Sequence, residues 1–287
     1  MFTKIVAILA LTGLALSIPL DSNDVIKPTE YNVTMNAIAP LPRWLTEFTG
    51  LTAWPGPDPP YIPLNFIDFS KVPNYPRRKW TNAHQREIAA RLIATSVSTF
   101  DDGPSAFTPN LLNNLNHKVT FFTLGMNVVR YPEVYRRAAR EGHLMASHTW
   151  SHPFLPSLTN EKIVAQFEWS IWAMNATGHH LPKWYRPPYG AIDDRVRAIA
   201  RMFGMQAVVW DHDLFDWGME TKPPIRTRQK VISDAHKFKA ENKGGLVLEH
   251  DAYESTVNAA IEVSSIFGPD QLTVAQCVDG INYIKEY

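Results

Sequence analysis

Cysteine is nearly absent from this chain. One residue in 287, Cys277, carries a thiol, so no disulfide can form within the molecule and stability must come from a buried core. Cys277 lies in the amphipathic run LTVAQCVDGI and reads as a buried apolar residue, not a catalytic thiol. Net charge is absent too, because 28 Lys and Arg balance 28 Asp and Glu. That balance excludes a general nucleic-acid surface and an electrostatic membrane binder. There is no internal repeat and no low-complexity tract. Beyond residue 16 no segment is apolar enough to span a bilayer. What is present, 45% apolar residues over a long chain, is ample for the core of one large domain.

The apolar run that does exist stands at the N-terminus. Lys4 precedes an apolar stretch at residues 5–16, too short for an ordinary spanning helix, and Ala15-Leu16-Ser17 supplies small residues for cleavage. Residues 1–17 are therefore expected to be a secretory signal peptide. The mature chain is then expected to be a secreted monomer, extracellular or in the cell wall, with no membrane association after cleavage. The C-terminal INYIKEY lacks the apolar tail of a lipid-anchor signal. Asn32-Val33-Thr34 and Asn175-Ala176-Thr177 are sequons that could carry glycans on a secreted chain, which would require them to be exposed.

Proline is concentrated in one place. Residues 40–76 hold nine of the 22 prolines, including WPGPDPPYIP, which excludes helix and central strand. The same stretch carries Trp54, Tyr61, Ile62, Leu64, Phe66, Ile67 and Phe69, too many large apolar groups for a disordered linker. Residues 18–89 are expected to form an extended segment packed on a main domain at 90–287.

From about residue 90, short apolar runs alternate with helical patterns. Strands are expected at 93–100, 119–125, 143–148, 183–188, 206–213 and 245–250. Helical patterns lie between them, several ending in Gly. Alternating β and α units imply an α/β fold with a parallel sheet, open or closed into a barrel.

The polar clusters fall where strands give way to loops. Asp101-Asp102 follow the first strand, His148 and His152 the third, and Arg186 the fourth; Asp213 and Asp216 follow the fifth, and His250 ends the sixth. That edge builds the active site in α/β barrels and open parallel sheets. His148-xxx-His152 is weak alone, but two histidines and one carboxylate make a three-ligand metal site with positions left for water. Asp101 or Asp102 could supply the acid, and Asp-Asp-Gly-Pro is also ordinary turn chemistry. Arg186, stiffened by two prolines, could hold a carboxylate ionised or lie on the surface. His250 could be a core histidine, a metal ligand or a general acid. Trp217 and Leu248 read as core residues or as walls of a pocket fit for a methyl group.

Five segments in order carry a resemblance: TFDDGP (99–104), HTWSH (148–152), RPPYG (186–190), DLFDW (213–217) and LEH (248–250). Together they resemble the polysaccharide deacetylase family, the NodB-homology domain of carbohydrate esterase family four, over roughly residues 90–285. The segments HTWSH and YRPPYGAIDDRVRAIA and the aromatic lead-in are similar in particular to secreted fungal chitin deacetylases. Ser96 and Ser98 make the first strand more polar than the family's, and Leu214 and Phe215 are apolar where polar residues are common, but no chemical group is lost.

The resemblance implies a distorted (β/α) barrel of fewer than eight units, with the proline-rich and aromatic-rich segment packed on it. It implies one divalent ion, zinc or cobalt, held by Asp102, His148 and His152. It implies Asp101 as general base, Arg186 orienting it and keeping it ionised at neutral pH, and His250 as general acid tuned by Asp216 or by Asp213. Trp217 and Leu248 would line the acetyl pocket and the Tyr189 N–H would face the oxyanion. The implied reaction is hydrolysis of the N-acetyl groups of chitin or its oligomers to glucosamine units and acetate. Peptidoglycan or O-acetyl xylan as substrate, and a catalytically silent carbohydrate-binding protein, are the alternatives; a metal-dependent phosphatase would not need the RPPY or LEH segments.

Overall fold

The computed structural model describes residues 38–73, 96–241 and 244–287. The signal peptide expected at 1–17, the Asn32 sequon, both ends of the 18–89 segment and positions 93–95 of the first expected strand lie outside the described residues. Two compact units are distinguished. In the smaller, the described residues 40–54 contain helix α1 (Arg43–Thr49), which Gly50 closes in the left-handed region at φ 76°. This corrects the expectation that residues 40–76 exclude helix, because the prolines flank a proline-free run at 43–54 and Pro42 only precedes the first turn.

The larger unit, residues 36–39 and 55–287, carries every other described strand and α-helix. These are β1 (Ser96–Asp101), α2 (Thr108–Asn114), β2 (Thr120–Thr123), α3 (Gly125–Arg130), α4 (Pro132–Arg140), β3 (Leu144–Ser147), α5 (Asn160–Gly178), β4 (His180–Pro182), β5 (Trp184–Tyr185), α6 (Asp194–Met202), β6 (Gln206–Ala207), β7 (His212–Asp213), α7 (Arg228–Glu241), β8 (Gly245–His250), α8 (Glu254–Phe267), α9 (Val274–Cys277) and β9 (Tyr283–Glu286).

Seven strands form one sheet in the order β6-β5-β3-β2-β1-β8-β7, and every pairing in it is parallel. The edges β6 and β7 are neighbours in sequence. Val208 N–H still bonds Tyr185 O at 2.8 Å, and Asp211 N–H already bonds Leu246 O at 3.0 Å. Three peptide steps reach at most about 11 Å, whereas the edges of a flat seven-stranded sheet stand about 29 Å apart. The sheet therefore curls until its edges nearly meet. This is the distorted (β/α) barrel of fewer than eight units. The run 206–213, expected as one strand, is two: its ends pair with β5 and β8 on opposite sides of the seam. A second, antiparallel pair, β4 with β9, uses residues 180–182 and 283–286, where no strand was expected.

Alternation of side chains along each strand divides two cores. Val97, Phe122, Leu144, Ala146, Trp184, Val208 and Leu246 fill the barrel interior, capped by Val274 and Ala275 of α9. Cys277 is half-buried against this cluster, less enclosed than the sequence suggests, and burial pushes its thiol up to about 11. Val247 faces the other way, onto Leu214, Val231, Ala235, Ala259, Val263 and Phe267 between sheet and helices. Thr99 and Asp101 continue the inner column begun by Val97, and Leu248 and His250 the one begun by Leu246. The barrel is thus apolar at one end and polar at the C-terminal ends of its strands.

Asn175 is half-buried within α5, and the Thr177 of its sequon is only 2% exposed. Among the described residues no helix is long and apolar enough to cross a membrane.

Candidate active site at the strand ends

Parallel strands deliver all their C-terminal ends to one rim. Asp101 and His250 are the last residues of β1 and β8, Asp213 ends β7, and His148 and Arg186 directly follow β3 and β5. The inner column converges there by construction.

Asp102, His148 and His152 offer ligand atoms within 4.8 Å of one another. Asp102 Oδ1 lies 3.6 Å from His148 Nε2 and 3.5 Å from His152 Nε2. It is buried without a hydrogen-bond partner, a costly state for a carboxylate oxygen unless a cation compensates it. Ligands held at about 2.1 Å in tetrahedral directions stand about 3.4 Å apart, close to these separations. The Nδ1–H of His148 donates to the Arg186 carbonyl at 2.7 Å, which leaves the Nε2 lone pair for a ligand. Burial lowers His148 to about 3 despite Asp102, so its ring is neutral, as a metal ligand must be. These three residues fit a divalent cation with nitrogen and oxygen ligands.

Asp101 is 3% exposed and points its two oxygens to different partners. Oδ1 accepts from Arg186 Nη1 at 2.8 Å, and Oδ2 stands 3.6 Å from His148 Nε2. Arg186 is fully buried. Its Nη1 also donates to Thr99 Oγ1 at 2.8 Å, and its guanidinium lies over the Phe122 ring, 4.1 Å from the centroid. Burial raises Asp101 above 3.8, and Arg186, then His250, pull it down without cancelling the rise. Arg186 alone therefore does not set its charge as the pairing suggested; the positive groups around it work against desolvation.

His250 answers Asp101 from the neighbouring strand. Its Nδ1–H donates to Asp216 Oδ1 at 2.7 Å, and its backbone N–H donates to Asp216 Oδ2 at 2.8 Å. Asp213 instead accepts the Phe215 N–H at 2.7 Å. Of the two acids left open by the sequence, Asp216 is the one bonded to the ring. Burial alone would lower His250, but Asp216, by charge and hydrogen bond, and then Asp102 and Asp101 carry it up to about 10.

Around this centre, Tyr189 is exposed, its ring 4.5 Å from that of His152. Trp217 is 39% exposed, and its backbone N–H donates to Asp216 Oδ1 at 2.9 Å. Leu248 is buried, two positions before His250 on the same strand face. Asp102, Thr149, His152, Tyr189 and Phe215 all have positive φ, between 52° and 74°. Non-glycine residues held there cost about 1–3 kcal/mol each and persist only where neighbours fix them.

Some of those neighbours escaped the sequence reading. Asn127 Nδ2 donates to the Asp102 carbonyl at 2.7 Å. Asp251 is fully buried, accepts from Thr108 Oγ1, and its carboxylate lies where a Cβ on Gly103 would be. Its position directly after His250 was the available signal.

The family described as Polysaccharide deacetylase matches residues 93–208. Chitin deacetylase 2 of Saccharomyces cerevisiae is 52% identical over 262 residues, covering 86% of this chain and 84% of that protein. Chitin deacetylase 1 of the same yeast is 49% identical over 262 residues, covering 86% and 87%. The structure of the chitin deacetylase from the fungal pathogen Colletotrichum lindemuthianum aligns with a TM-score of 0.59 at 26% identity, covering 68% of this chain and 95% of that one.

Proposed function

The chain belongs to the polysaccharide deacetylase family, and from that membership we propose that it hydrolyses the N-acetyl groups of chitin or chitin oligomers, releasing acetate and leaving glucosamine units. The observation that carries the reading is the facing pair at the rim, Asp101 bonded to Arg186 and His250 bonded to Asp216. Similarity to two yeast chitin deacetylases at about half identity supports the choice of polymer.

In the proposed mechanism Asp101 takes a proton from the attacking water, with Arg186 and Thr99 fixing its orientation. His250, charged and held by Asp216, gives the proton on Nε2 to the departing nitrogen. The Tyr189 N–H faces the oxyanion, a contact worth about 3 kcal/mol in such sites. Trp217 and Leu248 wall the acetyl group. A zinc or cobalt ion held by Asp102, His148 and His152 would supply a lowered pKa for water and polarisation of the acetyl oxygen. The signal-like residues 1–17 support secretion, outside the cell or into its wall, where such a polymer is found.

Acetate release measured side by side on chitin oligomers, acetylated xylan and peptidoglycan tests the substrate. Release should be fastest from chitin oligomers. Release confined to xylan or peptidoglycan would overturn the chitin reading, and sugar binding without acetate would overturn the enzymatic one.

A further inference from the structure

Residues 55–62, PGPDPPYI, lie outside the family match at 93–208. Prolines fix their own φ and carry no N–H, so this strap is a stiff row of carbonyl acceptors. The rest of the unit meets it with side-chain donors. Trp150 Nε1–H donates to Gly56 O at 2.8 Å, Ser151 Oγ–H to Pro57 O at 2.6 Å, and Trp169 Nε1–H to Pro60 O at 2.8 Å. Gln166 on α5 ties both sides together. Its Nε2 donates to Pro57 O at 3.3 Å and Ser151 Oγ at 3.0 Å, and its Oε1 accepts the Ser151 N–H at 3.0 Å. The strap is anchored further on where Ile62 N–H donates to Glu168 Oε1 at 2.9 Å.

Trp150 and Ser151 are two of the three residues between His148 and His152. The flanking Thr149 and His152 sit at φ 72° and 64°, conformations that need external support. The strap gives that support directly to the residues between them.

We infer that residues 55–62 position the His148–His152 loop, so that the metal affinity of the site depends on a segment that supplies no ligand. The inference rests on reading Asp102, His148 and His152 as metal ligands. Partners bonded directly to metal ligands are worth about 10–100-fold in metal affinity; the strap acts one residue further out, through Trp150 and Ser151, and the lower end of that range is expected.

The test uses the full chain and zinc alone. Zinc affinity is measured by competition with a chromophoric chelator, and the melting temperature is measured without metal, for Ser151→Ala, Gln166→Leu and Ile62→Pro. Ile62→Pro removes one strap donor and touches neither the loop nor the three ligands. All three variants should bind zinc about tenfold more weakly, while Ser151→Ala melts within a few degrees of the wild type. Unchanged zinc affinity in Ser151→Ala and Ile62→Pro overturns the inference while leaving the metal reading intact. A wild-type chain that binds no zinc overturns the metal reading and the inference with it.

Discussion

Asp101 and His250 are Cα partners across the parallel strands β1 and β8. Neighbouring strands stand about 4.8 Å apart, so sheet register alone sets an acid and a base side by side. Each then has its own counter-charge behind it, Arg186 for Asp101 and Asp216 for His250. In the proposed reaction this pair takes a proton on one side and gives one on the other.

Asp216→Asn should move the alkaline limb of the rate profile. His250 is charged below about 10, so the acid is available there and lost as pH rises through that value. Without the Asp216 charge the limb falls toward the ordinary imidazole value of about 6.5. The acid limb, set by Asp101, lies above 3.8 because burial raises that group, and Asp216→Asn should leave it in place. The profile of kcat/KM against pH reads both limbs.

Gly103→Ala should damage the site through a residue with no chemistry of its own. The new Cβ collides with the buried Asp251 carboxylate, and either Asp251 or the turn carrying Asp102 must move. A stability loss of about 1–3 kcal/mol by denaturant titration, together with weaker zinc binding, is the expected result.

Glu168→Gln should stabilise the chain at alkaline pH. Burial raises Glu168 from 4.5 to about 8. Between those values the unfolded chain releases a proton that the folded chain keeps, so stability present below pH 4.5 is lost as pH rises through 8. Glutamine keeps an acceptor for the Ile62 N–H and removes this loss. The melting-temperature difference, variant minus wild type, should be positive at pH 8 and shrink toward pH 4.5.

The alternation of strands and helices, and the position of the polar clusters at strand ends, were legible because parallel strands buried on both faces read as apolar runs with chemistry just beyond them. The split of 206–213 was not, since period and composition cannot show that one run crosses the barrel seam. Nor was the β4–β9 pair, made by residues 180–182 and 283–286 about a hundred positions apart. Asp213 and Asp216 are equivalent in sequence; the turn through Phe215 at φ 52° turns Asp213 to a backbone N–H and leaves Asp216 on the ring. The count of prolines over 40–76 hid their spacing: residues 43–54 contain none, which leaves room for helix α1 where no helix was expected, and the seat of residues 55–62 on Trp150 and Ser151 required the fold.

In the proposed site Asp101 transfers the proton while Asp102, His148 and His152 hold the ion. Zinc content and acetate release from chitin oligomers, measured together on Asp101→Asn and His148→Ala, test it most directly, with circular dichroism checking that Asp101→Asn, which leaves Arg186 uncompensated, stays folded. Asp101→Asn should keep its zinc and lose about 10²–10⁴-fold in rate, and His148→Ala should lose both. Asp101→Asn that keeps its zinc and releases acetate at the wild-type rate would show that Asp101 is not the base.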